Sequence, residues 1–158
     1  MTVTNITIPR FMRGASLLLV MASVIVSQTR PTIESANVWQ WVIKRPLTAP
    51  NGEEYFAGTL KDALVPTGLA PYLQGVLVSI TPETAGVRRL LLSMETTDKP
   101  DVTIVLLLRG QRVKLKTEPK KGTVVRFRGV VQKFTKEPFM VTFVVDRRGS
   151  FLDFVESR

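Results

Sequence analysis

The sequence predicts a small all-β protein, a five-stranded barrel with an N-terminal extension, with an open β-sandwich as the alternative. Three observations point there. The stretch Gly122 to Asp146, GTVVRFRGVVQKFTKEPFMVTFVVD, holds two runs that alternate with a period of two. Three further apolar runs precede it at regular spacing, with turn signals between them. The chain has no cysteine, so no disulfide framework replaces a packed core.

The alternation fixes which side of each strand is buried. Val125, Phe127 and Val131 alternate with Arg126, Arg128 and Gln132. After a polar loop ending in Pro138, Phe139, Val141, Phe143 and Val145 alternate with Met140, Thr142 and Asp146. Successive strand side chains point to opposite faces, so the first set of each run faces inward. Gly129 falls on the inward set, where a glycine marks a bulge or a sharp bend.

The other strands are read the same way. Tyr72–Ile80 is the first, with Gly75 as a candidate bend, and Thr81–Gly86 is a turn. Val87–Thr96 is the second, Thr97–Pro100 a turn, and Asp101–Leu108 the third, apolar enough to be covered on both faces. Val113 and Leu115 alternate with basic residues in the connection Arg109–Lys121 and extend the third strand. In the tail, Phe151, Phe154 and Val155 stand at i, i+3 and i+4, the spacing of one helical turn.

Residues 1–27 have the layout of a signal peptide or membrane anchor. Arg10 and Arg13 precede an almost wholly apolar run, Gly14 to Ser27. That run is shorter than the ~20 residues of a spanning helix, and small Ser27 before Gln28 suits cleavage. Export to the periplasm or cell envelope of a bacterium is the expectation. An uncleaved segment would attach the chain to the membrane.

Residues 28–70 form the extension and 71–158 the barrel domain. Trp39 and Trp41 are two apart, so on an extended strand both face one side. They form either an aromatic platform for a sugar, lipid or peptide, or a cap on an open end of the core. The second reading weighs more, since large aromatics dominate core energetics. Pro46, Pro50 and Asn51-Gly52 mark turns, and Thr59 with Asp62 reads as the cap of a short helix over LKDAL.

Charge is uneven. Glu34 to Leu108 holds 6 basic and 8 acidic residues, whereas Arg109 to Arg148 holds 12 basic and 3 acidic, so the net +9 resides in the C-terminal third. Such asymmetry points to an anionic partner, or to lysines and arginines that keep strand faces soluble. The candidate anion-binding residues are Arg109, Arg112, Lys114, Lys116, Lys120, Lys121, Arg126 and Arg128. Arg126 and Arg128 share a strand face, about 7 Å apart.

Histidine is also absent, which removes triads and dyads built on His or Cys, and the two main zinc ligands. Carboxylates remain. Glu53-Glu54 lie in one turn and Glu95, Asp98 and Asp101 around another, without motif partners. A calcium site at the latter lacks the ligand count and glycine of known loops. No catalytic residue, metal or cofactor is expected.

Gly122, Val125, Phe127, Gly129 and Val131 together resemble the G-x-x-V-x-F-x-G-x-V strand of bacterial oligonucleotide/oligosaccharide-binding (OB) domains. Among these is the uncharacterised tRNA-anti-like group of exported proteins. The resemblance spans residues 72–146 and implies a closed five-stranded Greek-key barrel. It departs from the pattern between strands three and four, where Gly110 and Pro119 leave no clear helix. It carries over no functional residues.

The expected function is thus a non-catalytic binding module for an anionic envelope component or an acidic protein. The alternative is a single-stranded nucleic-acid-binding OB protein. Against the alternative, residues 73–126 contain no Phe, Tyr or Trp to stack bases.

Overall fold

A computed structural model describes residues 33–68, 70–82, 86–95, 98–107, 118–145 and 149–155. The expected signal segment, 1–27, lies outside the described residues, as does the expected strand extension at Val113 and Leu115.

The structure is mostly β, with one mixed sheet running in a ring through five strands. The seven strands are β1 (Leu64–Val65), β2 (Leu73–Ile80), β3 (Val87–Ser93), β4 (Val102–Leu107), β5 (Val124–Lys136), β6 (Phe139–Val145) and β7 (Phe151–Val155). β2, β3 and β4 form an antiparallel meander. β4 pairs in parallel with β6, β6 antiparallel with β5, and β5 antiparallel with β2, which completes the ring. β1 and β7 pair with β5 from outside this circuit.

The expected inward set lines the core. Val125, Phe127, Val131, Val141 and Phe143 are fully buried, while Arg126, Arg128 and Thr142 are only partly covered. Phe127 and Phe143 meet edge to face at 5.2 Å between ring centres. Gly129 sits where β5 exchanges β2 and β7 for β1 and β6 as neighbours. A Cβ there would lie 3.1 Å from the Val144 carbonyl oxygen and 3.3 Å from the Phe143 Cβ, so a larger residue would have to push β6 away by a few tenths of an ångström. The register shift itself comes two residues later, between Val131 and Lys133. Gly75 likewise lets β2 approach Met94, and that strand's shift falls between Leu77 and Ser79.

Three expectations are corrected. Asn37–Lys44 is not extended. The chain is helical from α1 (Ile33–Asn37) through a wider π-type stretch (Val38–Lys44) to α2 (Arg45–Thr48). Val38, Trp39, Ile43 and Leu47 form its buried stripe, and that spacing is helical rather than alternating. Pro46 falls in the first turn of α2 and offers no N–H to the π-type turn before it. Nearby, the Tyr55 hydroxyl donates to the Val42 carbonyl at 2.9 Å.

The second helical piece ends at Leu60, where LKDAL begins. It comprises α3 (Gly52–Tyr55) and a further π-type turn (Phe56–Leu60). Asp62 adopts a left-handed backbone and its N–H donates to the Val131 carbonyl. Residues after Leu60 are thus drawn out along β5 as β1, and Thr59 lies inside the π-type turn rather than at a helix start. Last, Phe151–Val155 is a strand, not a helical turn. β6 covers only Val130–Lys136 on its side of β5, and β7 occupies the edge left open at Val124–Arg128. Five residues of which four are apolar fit either period, and the vacant ladder decides.

The helical pieces share one apolar core with the ring. Trp39 packs edge-on against Phe139, and the Phe56 ring lies tilted against Phe134. Lys44 and Gln40 both donate to Glu95 in the β3–β4 connection, the latter at 2.6 Å.

Candidate functional site

β5 presents Arg126 and Arg128 on the outward face of the sheet, as period two requires. The register places Gln74 of β2 beside Arg126 on one side and Asp153 of β7 on the other. Arg126 Nε donates to Gln74 Oε1 at 3.3 Å, and its guanidinium carbon lies 4.9 Å from the centre of the Tyr72 ring. Tyr72 in turn meets Phe151 edge to face at 6.4 Å. Gln74 is held from behind, its backbone N–H donating to Ser35 Oγ at 2.8 Å. Arg126 is therefore fixed by an amide and a ring rather than by a full ion pair.

Arg128 stands opposite Phe151, which is 37% exposed. The Arg128 Nε is buried and meets no acceptor among the described residues. The electrostatics of this face are mixed. Asp153 is exposed beside Arg126 and offsets part of its charge. Lys120 and Lys121 are exposed just before β5, and Lys121 Nζ lies 3.4 Å from Asp98 Oδ1. An exposed pair of that kind contributes little to stability. Arg109, Arg112, Lys114 and Lys116 lie outside the described residues.

The aromatic platform does not form. Trp39 is 1% exposed and belongs to the core, whereas Trp41 is 62% exposed beneath the Arg45 guanidinium at 3.9 Å. On a helix, residues two apart point in widely different directions, so the pair is divided. The rings that do reach the basic face are Tyr72 and Phe151. Tyr72 shares strand parity with Gln74 and is readable in principle; Phe151 needs the β5–β7 pairing, which no sequence pattern announces.

The acids around the β3–β4 connection take separate partners. The Lys44 ammonium, bonded to Glu95, holds that carboxyl below its usual value against the effect of desolvation, with help from Gln40. The Trp39 indole N–H adds to this from nearby, although it makes no hydrogen bond of full geometry. Burial raises Asp101 to about 6, the Met94 N–H on its Oδ1 at 2.8 Å pulling the other way and the Glu95 charge adding to the rise. Asp98 faces Lys121. Among the described residues, no three of His, Cys, Asp and Glu come together as a metal site.

What the outward face of β5 can do chemically is accept an anion. It offers a preoriented guanidinium, a second one with a buried donor unused, and two rings at its margin. No protein-family model, characterised protein or solved structure matches the chain.

Proposed function

We propose that the chain is an exported, non-catalytic binding module whose five-stranded ring is an OB-like barrel. The outward face of β5 holds an anionic envelope component or an acidic protein through Arg126 and Arg128. What supports the barrel reading is the closed circuit of β2, β3, β4, β6 and β5, which leaves none of the five as a free edge. The apolar run after Arg10 and Arg13 supports export.

One observation carries the binding reading: the buried Arg128 Nε without an acceptor among the described residues, next to a second guanidinium. A buried donor left unmade costs ~1–3 kcal/mol, and a charge-assisted bond to an anion recovers it. Arg126, already stacked on Tyr72, loses little freedom on binding. Binding of the full chain to heparin and to anionic liposomes, but not to single-stranded DNA, is the expected result. Arg126→Glu with Arg128→Glu weakens that binding while circular dichroism stays unchanged. Unaltered binding by a folded double variant reduces the face to solubilising charge.

A second reading, single-stranded nucleic-acid binding, is favoured by one feature. Tyr72 and Phe151 bring rings to the basic face from outside residues 73–126. A stacked base is worth ~1–3 kcal/mol. Tight oligonucleotide binding lost in Tyr72→Ala and Phe151→Ala would select this reading over the first.

A further inference from the structure

We infer that the helix face bearing Trp41 and Arg45 is a membrane-interface anchor that seats in the lipid headgroup layer. The inference rests on the alternative in which residues 1–27 stay uncleaved as a membrane anchor. Glu34, Asn37, Trp41, Arg45 and Thr48 form an exposed stripe, spaced by three or four residues, on the side opposite Val38, Trp39, Ile43 and Leu47. Within it Trp41 is the large apolar group left in water, at 62% exposure, and Arg45 lies across its ring at 3.9 Å.

A tryptophan under a guanidinium matches the headgroup layer on both counts. The indole suits the boundary between apolar and wet surroundings, and the guanidinium reaches lipid phosphates while its stem stays along the ring. Glu34 balances Arg45 on the stripe, so the face suits a zwitterionic or mildly anionic surface rather than a strongly anionic one.

Chain length places the face where it is needed. Five residues, 28–32, separate the apolar run from Ile33, and extended they span at most about 17 Å. Trp41 lies eight residues further on, about 12 Å along a helix. A helix lying flat on the membrane from which the chain emerges brings Trp41 within the interfacial layer, as amphipathic interfacial helices do.

The test uses the full chain with phosphatidylcholine–phosphatidylglycerol vesicles, some containing lipids brominated near the headgroup end of the acyl chain. The expected result is that the protein floats with the vesicles, its tryptophan emission shifts to the blue, and brominated lipid quenches it. Trp41→Phe, an exposed change that leaves Trp39 as sole reporter, abolishes both the shift and the quenching. Flotation without quenching in the wild type overturns the anchor face alone. Failure to float overturns the membrane-segment reading and the anchor face with it.

Discussion

Replacing Asp101 with Asn should stabilise the protein near neutral pH and have little effect in acid. The carboxyl is half-buried at the end of the β3–β4 connection, and desolvation raises it from 3.8 to about 6. A carboxyl raised in the folded state binds its proton more tightly there than in the unfolded chain. Between about pH 4 and pH 6 the folded form therefore holds more protons, and stability falls as pH rises through that window. Above it the penalty is complete. Two units at 1.36 kcal/mol each make it on the order of 3 kcal/mol. Asparagine retains an Oδ1 for the Met94 N–H and has no charge to desolvate. Urea unfolding of both proteins across this range, with m-values compared, is the assay. The expected result is a gain of about 2–3 kcal/mol for Asp101→Asn at about pH 7.5 that shrinks toward zero below pH 4. A variant less stable than wild type at neutral pH, or a gap that does not change with pH, would mean that the Asp101 carboxylate is not desolvated in the folded protein.

Other outcomes follow from the packing. Phe127→Ala, at a site fully buried against Phe143, should cost ~3–5 kcal/mol in denaturant unfolding; a change near zero would mean the faces of β5 are reversed. Tyr55→Phe leaves the Val42 carbonyl without its hydroxyl donor in the turn before Pro46 and should cost ~1 kcal/mol by the same measurement.

The strands were legible because one of their faces is buried, and a buried face imposes a period of two that few other structures imitate. Gly129 was legible as a special position for the same reason: an inward glycine between Phe127 and Val131 breaks an otherwise bulky set. The helical extension was not. Trp39 and Trp41 look like strand partners, and Pro46 looks like a stop, yet the stripe of Val38, Trp39, Ile43 and Leu47 is helical. The proline is tolerated because it falls in the first turn of α2, where a missing N–H costs little. The tail failed for another reason, since FLDFV fits either period and only the open edge of β5 makes it a strand.

Of the candidate site, the common face of Arg126 and Arg128 came from strand parity alone. Their neighbours Gln74, Asp153 and Phe151 come from cross-strand register, which depends on turn lengths and bulges rather than on any local pattern. The same limit hid the division of the acids. Glu95, Asp98 and Asp101 are close in sequence, but Lys44, Lys121 and the Met94 N–H draw them to different partners.

In the proposed binding mode Arg128 lends a specific donor, and not only charge, to an anionic ligand. Arg128→Lys tests this most directly, because it keeps the charge and removes the Nε–H at its buried position. Titrated with heparin by isothermal calorimetry at constant ionic strength, the variant should bind about tenfold more weakly, the equivalent of ~1.4 kcal/mol for one lost charge-assisted bond. Equal affinity in a folded Arg128→Lys protein would contradict the claim and leave only nonspecific attraction between charges.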